Sequence, residues 1–305
     1  MSKPKFINVN GPDSQKESVE DTEKTLITAK MRDEDMMTRP LPFIAGDSDE
    51  PAVEIAQSCE IGNSRQRNED STFSFMTLFG GQTAQAPIAV SIVADGMGGH
   101  ADGHEASRIV SSYVGQYIMS RIVLPVINEE QVEDPIQDIL KQAVVDASRI
   151  IHTSSKRVEG GTTLTAALML KSRLYLAHIG DTRAYLITRD KIEKLTTDHS
   201  IVQKLIDTGQ ITEEEAEFHP HRNLLYRAVT GDVIEIDFIT RPLPKTGALL
   251  LCSDGLWGSV SDETIHAVIL DNRLELPQKC NQLVKLALSG GSKDNITGII
   301  TQFRL

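Results

Sequence analysis

The sequence predicts an α+β fold in which antiparallel sheets are flanked by pairs of helices. Three observations carry this prediction. Short strand-like runs recur along the chain, two long amphipathic helices follow one another directly, and strands and helices do not alternate strictly as they would in a parallel sheet. Residues 1–52 come first: "GPDSQKESVEDTEKT" and "MRDEDMMTRPLPFIAGDSDEP" are polar, proline-dotted and without sustained periodicity, the composition of a disordered extension. Residues 53–305 are predicted to form the folded domain.

Within it, strands are predicted at 53–59, 71–78 and 88–94, where apolar and β-branched residues cluster between turn formers. A helix follows, its apolar stripe marked by Ala106, Ile109, Val110, Tyr113, Val114, Tyr117, Ile118 and Ile122. A second carries Ile136, Ile139, Leu140, Ala143, Val144, Ala147 and Ile150. A loop containing Pro125 is expected to join them as an antiparallel pair. Strands are then predicted at 163–170, 173–179, 182–188, 233–240, 247–253 and 296–303. Residues 198–232 interrupt the series with short helical pieces and read as a flap, in which Thr212 and Glu215 have capping-box spacing. The last helix pair is predicted at 261–270 and 276–289, with Ser261 as N-cap and Asp262 and Glu263 in the first turn.

Composition narrows the function. The 305 residues carry 31 basic and 43 acidic side chains, a net charge of -12, with no Lys/Arg run to follow a phosphate backbone, so nucleic acid is excluded as a partner. No apolar stretch reaches the roughly 18 residues that span a bilayer, and the first residues lack the apolar centre of a signal peptide; a cytoplasmic protein without a membrane partner is expected. Cys59, Cys252 and Cys280 are odd in number and widely spaced, so they read as small buried hydrophobes rather than disulfides or zinc ligands.

The chemistry sits where strands end. "SIVADGMGGHADG" runs an apolar strand into Asp95 and a glycine-rich loop, and "LLLCSDGLWG" repeats the arrangement at Asp254. Asp294 precedes the final strand in "KDNITGII", and Glu69 and Asp70 precede another in "RQRNED". Each Asp-Gly alone is as readily a turn former. Together, carboxylates converging on one sheet edge repel one another unless cations neutralise them, and acids without His or Cys suit Mg2+ or Mn2+. Gly96, lacking a Cβ, lets its carbonyl approach an ion. Two such ions activate a bridging water for attack on phosphorus. Arg65 and Arg67 are both placed to grip phosphoryl oxygens, or to form surface ion pairs.

These motifs resemble those of the metal-dependent protein phosphatases of the protein phosphatase 2C (PPM) family, of the bacterial serine/threonine type. "RQRNED", "DGMGGHADG", "GTTLTAAL", "HIGDTRAYL", "LTTDHSIVQKLIDTGQIT", "HPHRN", "LCSDGLW" and "KDNITGII" occur in the family's order over about 250 residues. The resemblance implies an α-β-β-α sandwich of two antiparallel sheets flanked by pairs of antiparallel helices. It implies two Mn2+ or Mg2+ ions bridged by Asp95, with the Gly96 carbonyl on one and Asp254 and Asp294 on the other. Asp70 would support the first ion directly or through water, with Glu69 in the same role, and Arg65 falls at the family's phosphate-gripping position in preference to Arg67.

The implied activity is hydrolysis of phosphoserine and phosphothreonine in proteins by direct attack of a metal-bridging hydroxide. The implied partners are phosphorylated proteins, a cognate serine/threonine kinase and its substrates, and a monomeric state is expected. The alternative is a pseudophosphatase that binds phosphoproteins without turnover; lost metal ligands would mark it, and none of the principal ones is missing.

Two departures stand out. Met97 lies where animal members carry a histidine general acid, which leaves a water or His100 for that task. Where bacterial relatives often hold a third ion with an aspartate before GTT, this chain has "SSKRVEGGTT", with Glu159 the only acid. Thr162 and Thr163 read as securing a strand near the site, "GDTRAY" as a hairpin turn stabilised by Asp181 and Arg183, and Trp257 as a core anchor. Thr22, Thr25 and Thr28 lie in or just after the acidic segment "ESVEDTEKTLIT", which once phosphorylated would suit a phosphothreonine-reading partner; the alternative is an unstructured solvated tail.

Overall fold

Strand β3 (Ala86–Met97) shows how the layers arise. Its even-numbered Ile88, Val90 and Ile92 enter one hydrophobic layer, while Ala89 and Val93 enter others on the opposite face. With both faces buried, a strand reads as an unbroken apolar run rather than as an alternation. β10 (Thr246–Cys252) obeys the same rule, with Ala248, Leu250 and Cys252 on one side and Leu249 and Leu251 on the other.

The computed structural model describes residues 51–80, 86–98, 101–153, 160–231 and 235–305. The expectations for the N-terminal extension, its threonines, His100 and Glu159 fall outside them. One sheet has the order β1 (Ala52–Glu60), β11 (Ile296–Arg304), β10, β7 (Arg183–Ile187) and β8 (Ile192–Lys194). The other runs β2 (Asp70–Phe79), β3, β5 (Leu164–Leu170), β6 (Arg173–Ile179) and β9 (Asp237–Pro242), with β4 (Gly161–Thr162) paired to the end of β3. All these pairings are antiparallel.

Helices α1 (Ala101–Ile118) and α3 (Ile136–Thr153) cover the second sheet through Ala106, Val110, Val114, Leu140, Val144 and Ile151. The sheets meet through Val93, Leu174, Leu176, Leu249, Leu251 and Ile299, and Ser91 and Thr301 share a buried hydrogen bond of 2.8 Å across that layer. Helices α7 (Asp262–Leu270) and α8 (Leu276–Ser289) cover the first sheet through Ile265, Ile269, Leu283 and Val284. The result is the expected α-β-β-α sandwich. Among the described residues, no helix is long and apolar enough to cross a membrane.

Several expectations need correction. Pro125 does not lie in a loop: α1 widens into a π turn at Met119–Val123 and continues as α2 (Leu124–Ile127), whose first turn holds the proline. A proline has no N–H to lose in a first turn, and the wider turn relieves its clash with the preceding carbonyls. The stripe of α3 ends on Ile151, four residues after Ala147, while Ile150 is half-buried. The strand expected at 233–240 runs instead from Asp237 to Pro242, with Glu235 and Ile236 outside it and 233–234 outside the described residues, and β4 and β8 are too short to show periodicity. Cys252 and Cys280 are buried as expected, whereas Cys59 is exposed on β1, its sulfur accepting hydrogen bonds from Asn68 and Thr297. "GDTRAY" is not a hairpin, because β6 and β7 belong to different sheets and the segment crosses between them.

The flap region contains α4 (Ile201–Asp207), capped by Ser200, and α5 (Glu213–Glu217), where Thr212 and Glu215 form the expected capping box. Ser261 caps α7 as expected.

Glycine at 96 has a packing reason. A Cβ there would run into the backbone of Gly103, in the first turn of α1, and approach the Glu69 carbonyl at 2.7 Å. Gly103 is therefore a helix residue in close contact with β3 rather than part of the expected glycine-rich loop. Gly96→Ala is expected to destabilise the fold by at least about 2 kcal/mol through overpacking. Gly209→Ala, with φ of +69 and no atom within 4 Å of the added methyl, should cost only about 1 kcal/mol from the left-handed backbone. Urea denaturation of the two variants checks the order.

Candidate metal centre

Topology alone brings the strand-end acids together. β3 ends where β2 begins, and the register pairs Asp95 directly with Asp70. β6 runs parallel to β3 two strands away, so Asp181, just past its end, emerges at the same edge. In the other sheet, Asp254 follows β10 as the first residue of the short helix α6 (Asp254–Trp257), and Asp294 stands two residues before β11. Antiparallel pairing places that end of β10 beside that start of β11. Five carboxylates thus occupy the shared edge of both sheets.

Their electrostatics follow from burial. Asp95 is held well above the usual carboxylate range, first by burial and then by the charges of Asp70, Asp254, Asp181 and Asp294. Asp254 is raised similarly, by burial first and then by Asp181, Asp294 and Asp70. Burial lifts Asp70 to about 6, opposed by the hydroxyl hydrogen bond from Ser253. Burial and Asp198 lift Asp181 to about 7.

Among the described residues, Asp70 Oδ1 and Asp254 Oδ1 are buried side-chain oxygens with no hydrogen-bond partner. Buried acceptors without donors are costly unless something else satisfies them, and clustered carboxylate oxygens suit a hard divalent cation. Among the described residues, no group of three or more His, Cys, Asp or Glu side chains is arranged to hold a metal ion as the side chains stand. The two unpartnered oxygens and the acids around them are the oxygen donors that such a cation takes. The residues therefore fit the ions that the sequence implied.

Backbone and polar neighbours hold the acids in place. Thr163 donates its N–H to the Asp95 carbonyl at 2.8 Å, its hydroxyl accepts the Asp95 N–H at 3.0 Å, and the Thr162 hydroxyl donates to the same carbonyl at 2.8 Å. The strand-securing role read for these threonines is a clamp on Asp95 itself. Ser253 donates to Asp70 Oδ2 at 2.8 Å and accepts the Thr297 N–H at 3.0 Å, tying the two sheets together beside the acids.

Asn295 accepts the Glu69 N–H at 2.8 Å and donates to the carbonyls of Ile61 and Arg67, which fixes the loop carrying Arg65. Glu69 is buried, with its carbonyl accepting from Gly96 N–H and the Ser107 hydroxyl and its carboxylate near Gly103. Arg65 lies at the rim, paired with Asp294 at 2.5 Å. Arg67 is exposed, and its carbonyl serves the loop.

The sequence reading missed three of these residues. Asp181 belongs to the acid cluster rather than to a salt-bridged turn. Arg183 turns away from it, gripping Asp198 with contacts of 2.6–3.1 Å and stacking 3.4 Å over Trp257, whose Nε1 donates to the Asp181 carbonyl at 3.0 Å. Trp257 is thus a half-buried support for the acid-bearing turn. Ser253 and Asn295 adjoin Asp254 and Asp294 in "SDG" and "KDN"; their position next to a strand-end acid was the available signal.

The fold and this edge define a class: an α-β-β-α sandwich with an oxygen-donor centre suited to divalent cations where its two sheets meet. Comparison with known proteins narrows it. The profile of Protein phosphatase 2C matches residues 63–289. The chain is 37% identical over 250 residues to the serine/threonine phosphatase stp of Listeria welshimeri, covering 80% of this chain and 93% of that one. It is 36% identical over 255 residues to the serine/threonine protein phosphatase PstP of Mycobacterium tuberculosis, covering 81% of this chain but only 44% of PstP's length. A solved structure of the PstP catalytic domain in complex with two manganese ions superposes with a TM-score of 0.68 at 33% identity, covering 84% of this chain and 100% of that one. The chain belongs to the protein phosphatase 2C family.

Proposed function

We propose that this chain is a metal-dependent phosphatase that hydrolyses phosphoserine and phosphothreonine in proteins. The observation that carries the reading is the pair of unpartnered buried oxygens on Asp70 and Asp254, set within five mutually repelling acids at the edge where Arg65 stands. Asp95, the Gly96 carbonyl, Asp70, Asp254 and Asp294 would hold two Mn2+ or Mg2+ ions, with Glu69 in support. When bound, the ions supply the Lewis acidity that activates water and polarises the phosphoryl group.

The chain's own residues do the rest. Asp294 holds the Arg65 guanidinium at the rim of the cluster, where its planar fork would grip two phosphoryl oxygens bidentately. Thr162 and Thr163 hold the Asp95 backbone rigid, so the acid does not reorganise during the reaction. A cavity of about 560 Å³ opens beside Met97, lined by Lys204, Leu225, Tyr226 and Arg227. Its wall joins apolar Leu225 and the Tyr226 ring to charged Lys204, Arg227 and Glu235, a mixture that suits the peptide flanking a phosphorylated residue and favours a protein substrate over a small phosphomonoester.

Turnover of a phosphothreonine peptide with Mn2+, abolished by EDTA, tests the reading; hydrolysis that survives chelation would overturn it, and tight phosphopeptide binding without turnover would establish the pseudophosphatase instead. Arg65→Ala is expected to lower kcat/KM about 10- to 100-fold, mainly through KM, because it removes a charge-assisted contact with the substrate. Arg65→Lys should recover only part of this, since an ammonium cannot reproduce the planar fork.

A further inference from the structure

Residues 198–231 leave the sheet after β8 and return to its edge through buried residues at both ends, Val229 by a bridge to Thr162 and His199 by its side chain. His199 is 1% exposed at its side chain. Its backbone N–H donates to the Gly180 carbonyl at 2.7 Å, and the Gly180 N–H donates to His199 Nδ1 at 3.0 Å, closing a ring of two hydrogen bonds between the two residues. Nδ1 is thereby the acceptor, which makes Nε2 the donor; Nε2 gives its hydrogen to Asp237 Oδ2 at 3.0 Å. Arg227 Nη1 lies 3.1 Å from the same nitrogen and is itself paired with Asp237 Oδ1.

Both ends of the flap converge on this residue. The His199 carbonyl accepts the Tyr226 N–H at 2.9 Å, Ser200 bridges to Leu225, and the rings of His178 and Tyr226 lie 4.9 and 5.7 Å from the imidazole. On the other side, Gly180 holds φ at +106, and a Cβ there would meet the Thr163 side chain at 2.5 Å. Thr163 clamps Asp95, and the next residue after Gly180 is Asp181.

We propose that His199 is a positioning residue that couples the flap to the acid cluster, setting the backbone of the Ile179–Thr182 crossing, and with it the Asp181 carboxylate, through its Nδ1 bond to Gly180. The reading of the cluster as a metal centre underlies the consequence of that coupling, not the coupling itself. A disturbance of either flap end reaches His199 through Tyr226 or Ser200, and from there reaches Asp181 by one hydrogen bond and one peptide unit. Substrate held in the groove beside Tyr226 would thus be felt at the cluster.

Two variants separate the roles of the ring nitrogens. His199→Asn places an acceptor oxygen near the position of Nδ1, whereas His199→Gln places its amide near Nε2 and leaves Gly180 without an acceptor. Three measurements are made on the full chain: amide exchange at Gly180, Mn2+ binding by calorimetry, and kcat and KM on a phosphopeptide. The Gln variant is expected to exchange Gly180 at least about tenfold faster and to bind Mn2+ several-fold more weakly, with the loss of turnover in kcat rather than KM; the Asn variant should stay within about threefold of wild type. Equal behaviour of the two variants, or unchanged Gly180 protection in the Gln variant, would overturn the proposal.

If neither variant folds, the wild-type protein decides: a through-bond NMR coupling between the Gly180 amide and His199 Nδ1 is expected, and its absence would refute the assignment. Gly180 exchange is independent of turnover, so a chain that proved inactive would sink the phosphatase reading while leaving this one open to its own test.

Discussion

Asp254→Asn should abolish the proposed phosphatase activity and stabilise the metal-free fold at the same time. Loss of a proposed oxygen ligand is expected to lower kcat at least about a thousandfold, corresponding to ~4 kcal/mol of barrier. The metal-free effect has the opposite sign. Asp254 Oδ1 is buried without a partner and repelled by Asp181, Asp294 and Asp70, so an uncharged amide of the same shape relieves a cost that nothing else in the fold offsets. In EDTA, the variant should gain about 1–3 kcal/mol in urea denaturation, while Mn2+ should stabilise it much less than wild type. A variant that is inactive and also less stable in EDTA would show that Asp254 holds the fold together rather than waiting for a cation.

The second large effect is a pH dependence that metal reverses. Asp70 at about 6 and Asp181 at about 7, with Asp95 and Asp254 also held well above the usual carboxylate range, bind protons in the metal-free fold that the unfolded chain releases near its ordinary value. Stability must fall with rising pH wherever the folded state holds more protons, by up to about 1.4 kcal/mol per proton and pH unit. The loss is absent below about pH 4, grows as pH rises, and for Asp70 and Asp181 is complete just above pH 7. Buried His178, lowered to about 4, works in the other direction between there and its ordinary value, but as one proton against several.

The Tm of the EDTA-treated protein should therefore decline from pH 5 to pH 8, and the rise on adding Mn2+ should be small at pH 5 and largest at pH 8. A flat or rising EDTA profile would contradict the clustering of the acids.

Much of this arrangement is legible in the sequence. Strands buried on both faces announce themselves as apolar runs, and an acid at the end of such a run is conspicuous because nothing in the run requires it; Asp95 and Asp254 stand out for that reason. Asp181 does not, because "GDTRAY" carries an arginine two residues on, and local pairing explains the acid away. The true partner of Arg183 is Asp198, fifteen residues later, a choice made by the crossing between sheets and invisible to spacing. Pro125 misleads similarly: a proline ends most helices, but a π turn ahead of it absorbs the misfit. His199 cannot be read as a link to Gly180 at all, since nineteen residues and a sheet crossing separate them. What sequence conveys well is burial and chemical type; what it hides is which long-range neighbour satisfies a given polar group.

The acid edge draws on distant parts of the chain. Asp70 and Asp95 come from early strands, Asp254 and Asp294 from the last two, and β1 finds its place only against β11, in a register running from Ala52 opposite Arg304 to Glu60 opposite Ile296. A growing polypeptide therefore carries the first half of the centre through most of its synthesis without the second. Pairings between such remote segments form slowly. The nascent protein would remain chemically silent until its final strand is made, so that activity is itself a report that the whole domain has folded.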